Sequence, residues 1–331
     1  MKKYSIAAII PAYNCQQTLE RAVESLLTQT YPISEIIIVN NNSTDNTQQI
    51  INKLINEYPI LVKSIIESKP GANLARNTGL KIAHGDWIQL LDADDELLPG
   101  KLNHQINLIT AQPGADLICS AAIKIIDNDP AKNKFKTLYV NDDKISGLIN
   151  SEAGITSSNL WKRETLLALG LFDPEITSSQ EYYMMLEFFK NDCEVIKDHL
   201  IKTNIYVSEE SISNTNNADR SIEIMINRIN YYNKLMKVLK DKNKLNSNYK
   251  NEIISNINRP YCYNVIRYGH SHMSKLKEIK KQFEISPSWK DIIVTYAHQV
   301  YSMYTIKKGL LKYPDFAFNL FIRVGKLLLF R

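Results

Sequence analysis

Short apolar runs alternate with amphipathic stretches along the first hundred residues. The apolar runs predict buried strands at residues 4–11, 36–39, 60–66 and 87–91. The stretches between them repeat apolar side chains at helical spacing and predict helices at residues 19–27, from the polar segment 42–45 to about Tyr58, and at 73–83. This alternation favours a doubly wound α/β fold with a mostly parallel central sheet.

The pattern changes in the remainder of the chain. Residues 116–126 predict one further strand, and residues 164–170 and 181–189 predict short helices. From about Asp219 onward the apolar positions recur mainly at helical spacing. We therefore expect an α/β domain over residues 1–215 and a helical C-terminal region over residues 216–331.

Charge is distributed unevenly between these parts. The 331 residues carry a net charge of +5, but residues 1–219 hold 19 basic and 28 acidic side chains, whereas residues 220–331 hold 21 and 7. Such asymmetry suggests that the two parts meet different partners. The composition, 44% hydrophobic and 23% charged, excludes disordered and collagen-like chains.

The compartment expected from the sequence is the cytoplasm. No apolar run approaches the ~20 residues of a membrane-spanning helix, and the N-terminal stretch does not resemble a signal peptide because Pro11 interrupts it. The cysteines Cys15, Cys119, Cys193 and Cys262 form neither a CxxC nor a zinc pattern. A reduced, cytoplasmic setting fits this usage.

Polar segments follow three of the predicted strands. They are residues 11–14, residues 40–45 and the acidic residues 92–95. In open α/β sheets, ligands bind beyond the carboxyl ends of the strands. Converging polar loops can hold a nucleotide, and a close acidic pair can hold a divalent cation, together with substrate phosphates.

The sequence resembles the inverting family-2 glycosyltransferases of the GT-A fold, of the type that acts in bacterial surface-polysaccharide biosynthesis. The matching segments, in family order, are IIPAYN, LLTQTY, EIIIVNNNSTDNT, GANLARNTGLKIAHGDWIQLLDADD and GLFDPEITSSQEYYMML. They lie within residues 4–189, somewhat over half of the chain. The resemblance implies a nucleotide-sugar half over residues 1–112 and an acceptor half over residues 113–215.

The resemblance also implies roles for individual residues. The positions expected to contact the nucleotide sugar are Pro11, Ala12, Tyr13, Asn14, Asn40, Asn42, Arg76, Asn77, Asp92 and Ala93. Asp94, in the DXD motif, falls on the family's ligand for Mg²⁺ or Mn²⁺, with Asp92 beside it, and Glu181 falls on the general base. This assignment suits inverting transfer, in which a cation offsets the charge of the departing diphosphate and a carboxylate takes the acceptor's proton.

The chain departs from the family pattern at three places. Asn40 and Asn41 stand where an acidic pair is usual, so the identity of the nucleotide is open, because an amide keeps an acceptor but loses the charge. Glu181 stands where aspartate is common. Residues 206–211 lack the arginine or histidine that this region often carries.

Some of these residues also have purely structural interpretations. The acidic residues 92–95 could cap a helix that begins near Pro99, and Glu181 could favour a helix N-terminus. Arg76 could be a surface ion-pair partner, and Asn40–Asn42 only a turn. Trp161 could pack in the core rather than line an acceptor pocket.

The basic C-terminal end has its own candidate partner. In residues 314–331 apolar and basic side chains fall on opposite helical faces, and Lys307, Lys308 and Lys312 precede them. We expect residues 307–331 to lie on an anionic membrane surface, although the apolar face could instead pack on protein. Nucleic acid is not expected as a partner, because no binding motif accompanies the charge.

The combined hypothesis is a cytoplasmic glycosyltransferase that is peripheral on the inner face of the cell membrane. It would transfer a hexosyl or N-acetylhexosaminyl group from a nucleotide-diphosphate sugar, foremost a UDP-sugar, to a glycan or lipid-linked oligosaccharide. One alternative is a sugar-phosphate nucleotidyltransferase, although IIPAYNCQQ lacks the glycine-rich basic loop of such enzymes. The other is a non-catalytic nucleotide- or glycan-binding protein, which the Asn40-Asn41 pair motivates.

Overall fold

The structure, a computed structural model, describes most of the chain. The described residues are 3–125, 135–207, 217–288 and 291. The predicted membrane-facing segment, residues 307–331, lies outside them, as do residues 208–211 of the predicted departure. The chain divides into two compact units, residues 1–209 and residues 210–331.

The first unit alternates strands and helices over its N-terminal part. Its strands are β1 (Ile6–Ala12), β2 (Glu35–Asn40), β3 (Val62–Ile66), β4 (Trp87–Leu90), β5 (Glu96–Leu97), β6 (Leu117–Ser120), β7 (Ala122–Ile125), β8 (Phe135–Leu138), β9 (Leu160–Lys162), β10 (Val195–Asp198) and β11 (Thr203–Tyr206). Its helices are α1 (Leu19–Leu27), α2 (Thr47–Glu57), α3 (Ala72–Ile82), α4 (Lys101–Ala111), α5 (Lys144–Asn150), α6 (Arg163–Ala168) and α7 (Gln180–Lys190).

The central sheet is mostly parallel, as the alternation of patterns predicts. Among the described residues it has seven strands in the order β10-β6-β9-β4-β1-β2-β3. Only β9 runs antiparallel to its neighbours β4 and β6. Strands β1, β2 and β4 end at one edge of this sheet, so the loops that follow them converge there.

The strands at the centre of the sheet are buried on both faces, which is why they read as continuous apolar runs. Ile10 of β1 belongs to a core cluster that α1 and α2 cover. Ile9, its neighbour, faces α3, where a Cβ added to Gly79 would lie 2.5 Å from the Ile9 side chain. The glycine therefore lets α3 pack closely on β1, next to the strand ends.

The predicted strand over residues 116–126 is instead two strands that belong to different sheets. β6 pairs within the central sheet, whereas β7 joins a second sheet of the described residues, in the order β5-β11-β7-β8. An apolar run indicates burial but not a change of sheet at Ala121, so the second sheet could not be predicted from the pattern. Its edge strand β5 directly follows residues 92–95, which therefore connect the two sheets.

The second unit is helical in its described part, as predicted. It contains α8 (Ala218–Asp241) and α9 (Ser247–Gln282), which contact each other. The side chains of Ile222, Met225 and Ile229 are buried, in agreement with the helical spacing of the sequence. No helix of the described residues is both long enough and apolar enough to cross a membrane.

Candidate functional site

We define the acidic loop as residues 92–95. The side chain of Asp95 anchors this loop to neighbouring segments. Only 3% of Asp95 is exposed, and its carboxylate accepts hydrogen bonds from Ser157 Oγ at 2.5 Å and from the backbone N–H of Tyr206 at 3.3 Å. Ser157 Oγ also accepts a hydrogen bond from the backbone N–H of Asp92. Burial and the nearby Asp92 and Asp94 hold the pKa of Asp95 well above its ordinary value. Asp95 is thus a structural member of the loop.

Asp94 carries a carboxylate whose negative charge is only partly offset by the described residues around it. Burial, and after it the charge of Asp92, raises the pKa of Asp94 to about 6. Arg21 opposes this rise, but it contacts the loop through the backbone, since its Nη2 donates to the Asp94 carbonyl oxygen at 2.5 Å. A carboxylate in this setting favours a bound cation, which would stabilise its ionised form.

The donor set also limits how a cation could be held. No group of three or more His, Cys, Asp or Glu side chains among the described residues is arranged to bind a metal ion. Asp94 and the neighbouring Asp92 offer two carboxylates, the number that a magnesium type of site uses when it shares the ion with substrate phosphates. Ala93, between them, is buried and contributes no side-chain donor.

Arg76 neutralises the first carboxylate of the loop. Its Nη2 lies 2.7 Å from Asp92 Oδ1, its Nη1 donates to Asn73 Oδ1 at 3.2 Å, and only 5% of the residue is exposed. The arginine is therefore not the surface ion-pair partner that the structural interpretation offers. It lies buried beside the acidic loop, paired with Asp92.

Helix α3 also holds the segment that leads to Glu181. The side-chain amide of Asn77 exchanges two hydrogen bonds with the backbone of Phe172, at 2.7 and 3.0 Å. Asn73 Nδ2 donates to the carbonyl oxygens of Asp173 and Ile176. Asn77 thus positions a neighbouring loop in this structure, and the same helix carries the arginine that contacts Asp92.

Glu181 lies in the first turn of α7, which begins after this segment. The next residue, Tyr182, is buried and donates its hydroxyl to the carbonyl oxygen of Gly154 at 3.0 Å. The start of α7 is therefore anchored at Gly154, and the 172–176 segment before it is anchored on α3. Glu181 itself is half-buried.

The loops after β1 and β2 are bound to each other. Asn14 Oδ1 accepts from the backbone N–H of Thr44 at 2.8 Å, and the Asn14 N–H donates to Ser43 Oγ. Of the preceding residues, Pro11 and Ala12 belong to β1, and Ala12 is buried, whereas Tyr13 is 63% exposed. The exposed Tyr13 ring is therefore available to a ligand, and Asn14 beside it is exposed as well.

The asparagines after β2 have separate structural partners. Asn40 Oδ1 accepts from the Ser43 N–H and its Nδ2 donates to Gln48 Oε1, while Asn42 Nδ2 donates to the carbonyl oxygen of Ser68. Asn42 has a positive φ of 62°, a conformation that asparagine tolerates. These contacts stabilise the turn. The side-chain oxygen of Asn40 keeps a second lone pair, which can still accept a hydrogen bond.

Asn41 is where an amide, not a carboxylate, is required. Its Nδ2 donates to the carbonyl oxygens of Glu67 and Lys69 at 2.8 and 2.7 Å, and its Oδ1 accepts from the Gly71 N–H. Because all three partners are backbone groups of fixed polarity, aspartate would set a carboxylate oxygen against two carbonyl oxygens.

We expect Asn41→Asp to lower the free energy of unfolding by about 1–3 kcal/mol. Asn40→Asp is the matched control, because Gln48 can turn its amide and donate to the new carboxylate, so we expect a change of less than about 0.5 kcal/mol. Urea unfolding followed by circular dichroism measures both. Equal losses in the two variants would contradict the assignment of Asn41.

Two side chains at the acidic loop carry no recognisable sequence signal. Arg21 of α1 lies with its guanidinium carbon 3.9 Å from the centre of the Tyr206 ring, besides its bond to the Asp94 carbonyl. Ser157 contacts Asp92 and Asp95 across more than 60 residues of sequence. Neither residue falls in the five sequence segments that carry the family resemblance.

Trp161 packs in the core. It is fully buried, and its ring meets the edges of Phe172 and Phe188 at centroid distances of 6.1 and 5.6 Å. The structure therefore supports the packing interpretation and not the acceptor pocket.

Part of the sequence matches a known protein family. The model of the family described as Glycosyl transferase family 2 matches residues 7–164. WfgD of Escherichia coli is 29% identical over 215 residues, which are 64% of this chain and 81% of WfgD. Residues 7–164 are therefore similar to glycosyl transferase family 2. This confirms the resemblance seen in the sequence.

This chain covers a smaller share of other relatives. WfaP of Escherichia coli is 43% identical over 107 residues. The match covers 32% of this chain and 42% of WfaP. WfaP and WfgD are both named UDP-Glc:alpha-D-GlcNAc-diphosphoundecaprenol beta-1,3-glucosyltransferases.

A solved structure shows the same fold. The mannosyltransferase PcManGT of Pyrobaculum calidifontis, in complex with GDP-Man and Mn²⁺, superposes with a TM-score of 0.53 at 15% identity, covering 98% of this chain and 86% of that one. This chain therefore has the GT-A fold, and a divalent cation is present in one protein of that fold.

Proposed function

We propose that this protein transfers a sugar, with inversion of the anomeric centre, from a nucleotide-diphosphate sugar to a hydroxyl of a lipid-linked glycan. The observation that carries the proposal is the acidic loop. Arg76 neutralises Asp92 there, while Asp94 keeps a carboxylate with a raised pKa at the carboxyl ends of β1, β2 and β4. Such an arrangement suits a diphosphate bound through a cation.

Different residues of the chain act on the leaving group and on the acceptor. Asp94, with Asp92 beside it, would hold Mg²⁺ or Mn²⁺, which supplies positive charge to offset that of the departing diphosphate. Glu181 takes the proton from the acceptor hydroxyl as that oxygen attacks the sugar carbon. Attack from the face opposite the diphosphate inverts the configuration.

The nucleotide and sugar are proposed to be a UDP-hexose or UDP-N-acetylhexosamine. The names of WfaP and WfgD support UDP-Glc as donor and a diphosphoundecaprenol-linked GlcNAc as acceptor. Tyr13, Asn14, Asn40 and Asn42 contribute to the loops that would enclose the nucleotide, with Tyr13 exposed for stacking. The GDP-Man complex of PcManGT makes GDP the nucleotide to test against UDP.

A transfer assay tests the proposal. The full chain is incubated with Mn²⁺, a synthetic GlcNAc-diphospho-lipid, and UDP-Glc, UDP-GlcNAc or GDP-Man in turn. We expect release of the nucleoside diphosphate together with an acceptor longer by one sugar, and loss of both on addition of EDTA. Pyrophosphate release from UTP and a sugar phosphate would instead identify a nucleotidyltransferase. Donor binding without turnover would identify a binding protein.

The place of action is proposed to be the inner face of the cell membrane, with the protein peripheral and cytoplasmic. Residues 307–331 are the proposed contact with anionic lipid. Such a contact would bring a sugar donor that is bound at the acidic loop close to a lipid-linked acceptor.

Deletion of residues 314–331 is expected to release the protein from anionic vesicles. The deletion removes Arg323, Lys326 and Arg331, and each basic residue contributes about 1 kcal/mol near an anionic surface, so binding should fall on the order of 100-fold. Flotation with phosphatidylglycerol vesicles measures this, with phosphatidylcholine vesicles as the control. Undiminished binding, or a fall in the unfolding midpoint of the truncated chain, would favour packing of this segment on protein.

A further inference from the structure

A buried lysine that the family resemblance does not assign lies behind the acidic loop. Lys101, the first residue of α4, is only 1% exposed. Its Nζ donates to Gln89 Oε1 at 2.5 Å and to Gln105 Oε1 at 3.1 Å. No carboxylate of the described residues lies within ion-pair distance of Nζ, and burial lowers the pKa of Lys101 to about 7 against the opposing charge of Asp198. An apolar residue would fill this space without the cost of desolvating an amine.

The lysine is connected to the acidic loop by a directed series of hydrogen bonds. Lys101 Nζ donates to Gln89 Oε1, so the Nε2 of the same amide points away from the lysine. The Nε2 of Gln89 then donates to the carbonyl oxygens of Leu90 and Ser157, at 2.6 and 2.9 Å. The hydroxyl of Ser157 in turn contacts the loop, since it donates to Asp95 and accepts from the Asp92 N–H.

A second branch leaves Lys101 in another direction. Gln105 Nε2 donates to Ser120 Oγ at 2.8 Å and to the carbonyl oxygen of Ser158 at 3.3 Å, and Ser120 Oγ donates to Asp198 Oδ2 at 2.9 Å. Removal of the Ser120 hydroxyl leaves the contact with Ser158 in place. Asp198 Oδ1 lies 3.0 Å from His104 Nε2. This branch has buried polar contacts of the same kind, but it does not include a residue of the acidic loop. It therefore offers an internal control.

We propose that Lys101 is a positioning residue for the acidic loop, acting through Gln89 and Ser157 to set the geometry in which Asp92 and Asp94 bind the donor's diphosphate with its cation. The inference rests on the proposed function, because it takes the acidic loop to be the donor site. Supporting groups behind metal ligands commonly change metal affinity by about 10–100-fold when they are removed.

Binding of Mn²⁺ in the presence of UDP, measured by electron paramagnetic resonance, tests the proposal without relying on transfer. We expect Lys101→Met to weaken Mn²⁺ binding at least about tenfold. Ser120→Ala, which cuts only the second branch, should stay within about twofold of the wild type although it also removes buried hydrogen bonds. Thermal unfolding of both variants shows whether they are comparably destabilised.

Gln89 provides the second arm of the experiment. Gln89→Glu keeps an acceptor for Lys101, and so protects the fold, but it places a carboxylate oxygen against the Ser157 carbonyl. We expect it to weaken Mn²⁺ binding as Lys101→Met does, and the double variant should lose no more than either single variant, because both act on one connection. This arm also applies if Lys101→Met does not fold.

The outcomes distinguish the inference from the function on which it rests. A wild-type chain that binds no Mn²⁺ with either UDP or GDP would contradict the proposed function itself. Wild-type binding that Lys101→Met and Gln89→Glu leave unchanged would overturn the role of Lys101 alone. Equal weakening by Lys101→Met and Ser120→Ala would also overturn it, because the effect would then be one of general destabilisation.

Discussion

Replacing Asp94 with asparagine is expected to lower the rate of sugar transfer by about 10³-fold or more. A cation at the acidic loop contributes several kcal/mol to the stabilisation of developing charge, and each 1.4 kcal/mol is about tenfold in rate. Asparagine has the same shape but lacks the charge that would hold the cation. Initial rates with the donor found in the transfer assay, at saturating Mn²⁺, measure the loss.

The stability of this variant is the control for misfolding. The carboxylate of Asp94 is partly buried next to Asp92, which is why its pKa is raised to about 6. Since the folded chain disfavours the ionised form at neutral pH, the neutral amide should leave the unfolding midpoint unchanged or raise it when no cation is present. A lower midpoint would show that Asp94 is a structural residue and would leave the loss of rate unexplained by cation binding.

Asp92→Asn should behave differently, although it removes a carboxylate from the same loop. Asp92 forms the ion pair with Arg76, whose side chain is almost fully buried. The amide would leave that guanidinium without its charged partner, so we expect a loss of about 2 kcal/mol in the free energy of unfolding as well as reduced transfer. Wild-type transfer by Asp94→Asn with Mn²⁺ would exclude Asp94 as the main ligand.

The parts of the fold that could be predicted are those in which neighbouring residues share one environment. The run at β1 and the spacing of apolar residues in α1 indicate their own burial, and both elements are found within two residues of the expected positions. The acidic loop follows β4 as predicted because it is a local feature of the sequence. The order of the strands then brings it to the loops that follow β1 and β2.

The contacts that shape the site are of another kind. Ser157 reaches Asp95, and Arg21 reaches the Asp94 carbonyl, over 62 and 73 residues of sequence. A hydroxyl or a guanidinium has many potential partners, and nothing in the local pattern selects one. Lys101 illustrates the limit most clearly, since a lysine is expected on the surface and becomes interpretable only once its two glutamine partners are seen.

Glu181→Gln is expected to lower transfer by about 10²–10⁴-fold, which is the usual contribution of a general base. The amide cannot take a proton from the acceptor hydroxyl at any pH in the working range. Because Glu181 lies at the start of α7 and not in the acidic loop, the affinity for UDP with Mn²⁺ should remain within about twofold of the wild type. Rates are measured under single-turnover conditions, and affinity by calorimetry.

Two further variants give this prediction its controls. Glu187→Gln lies on the same helix, where it loses only the exposed ion pair with Lys190, and should keep the wild-type rate. Glu181→Asp keeps a carboxylate that is one methylene shorter and should retain more activity than the glutamine variant. A wild-type rate in Glu181→Gln would remove the proposed base. Loss of UDP binding in Glu181→Gln would instead assign Glu181 to the donor. Asp94→Asn should lose the binding of both cation and donor. The contrast between the two variants therefore decides which half of the reaction each carboxylate serves.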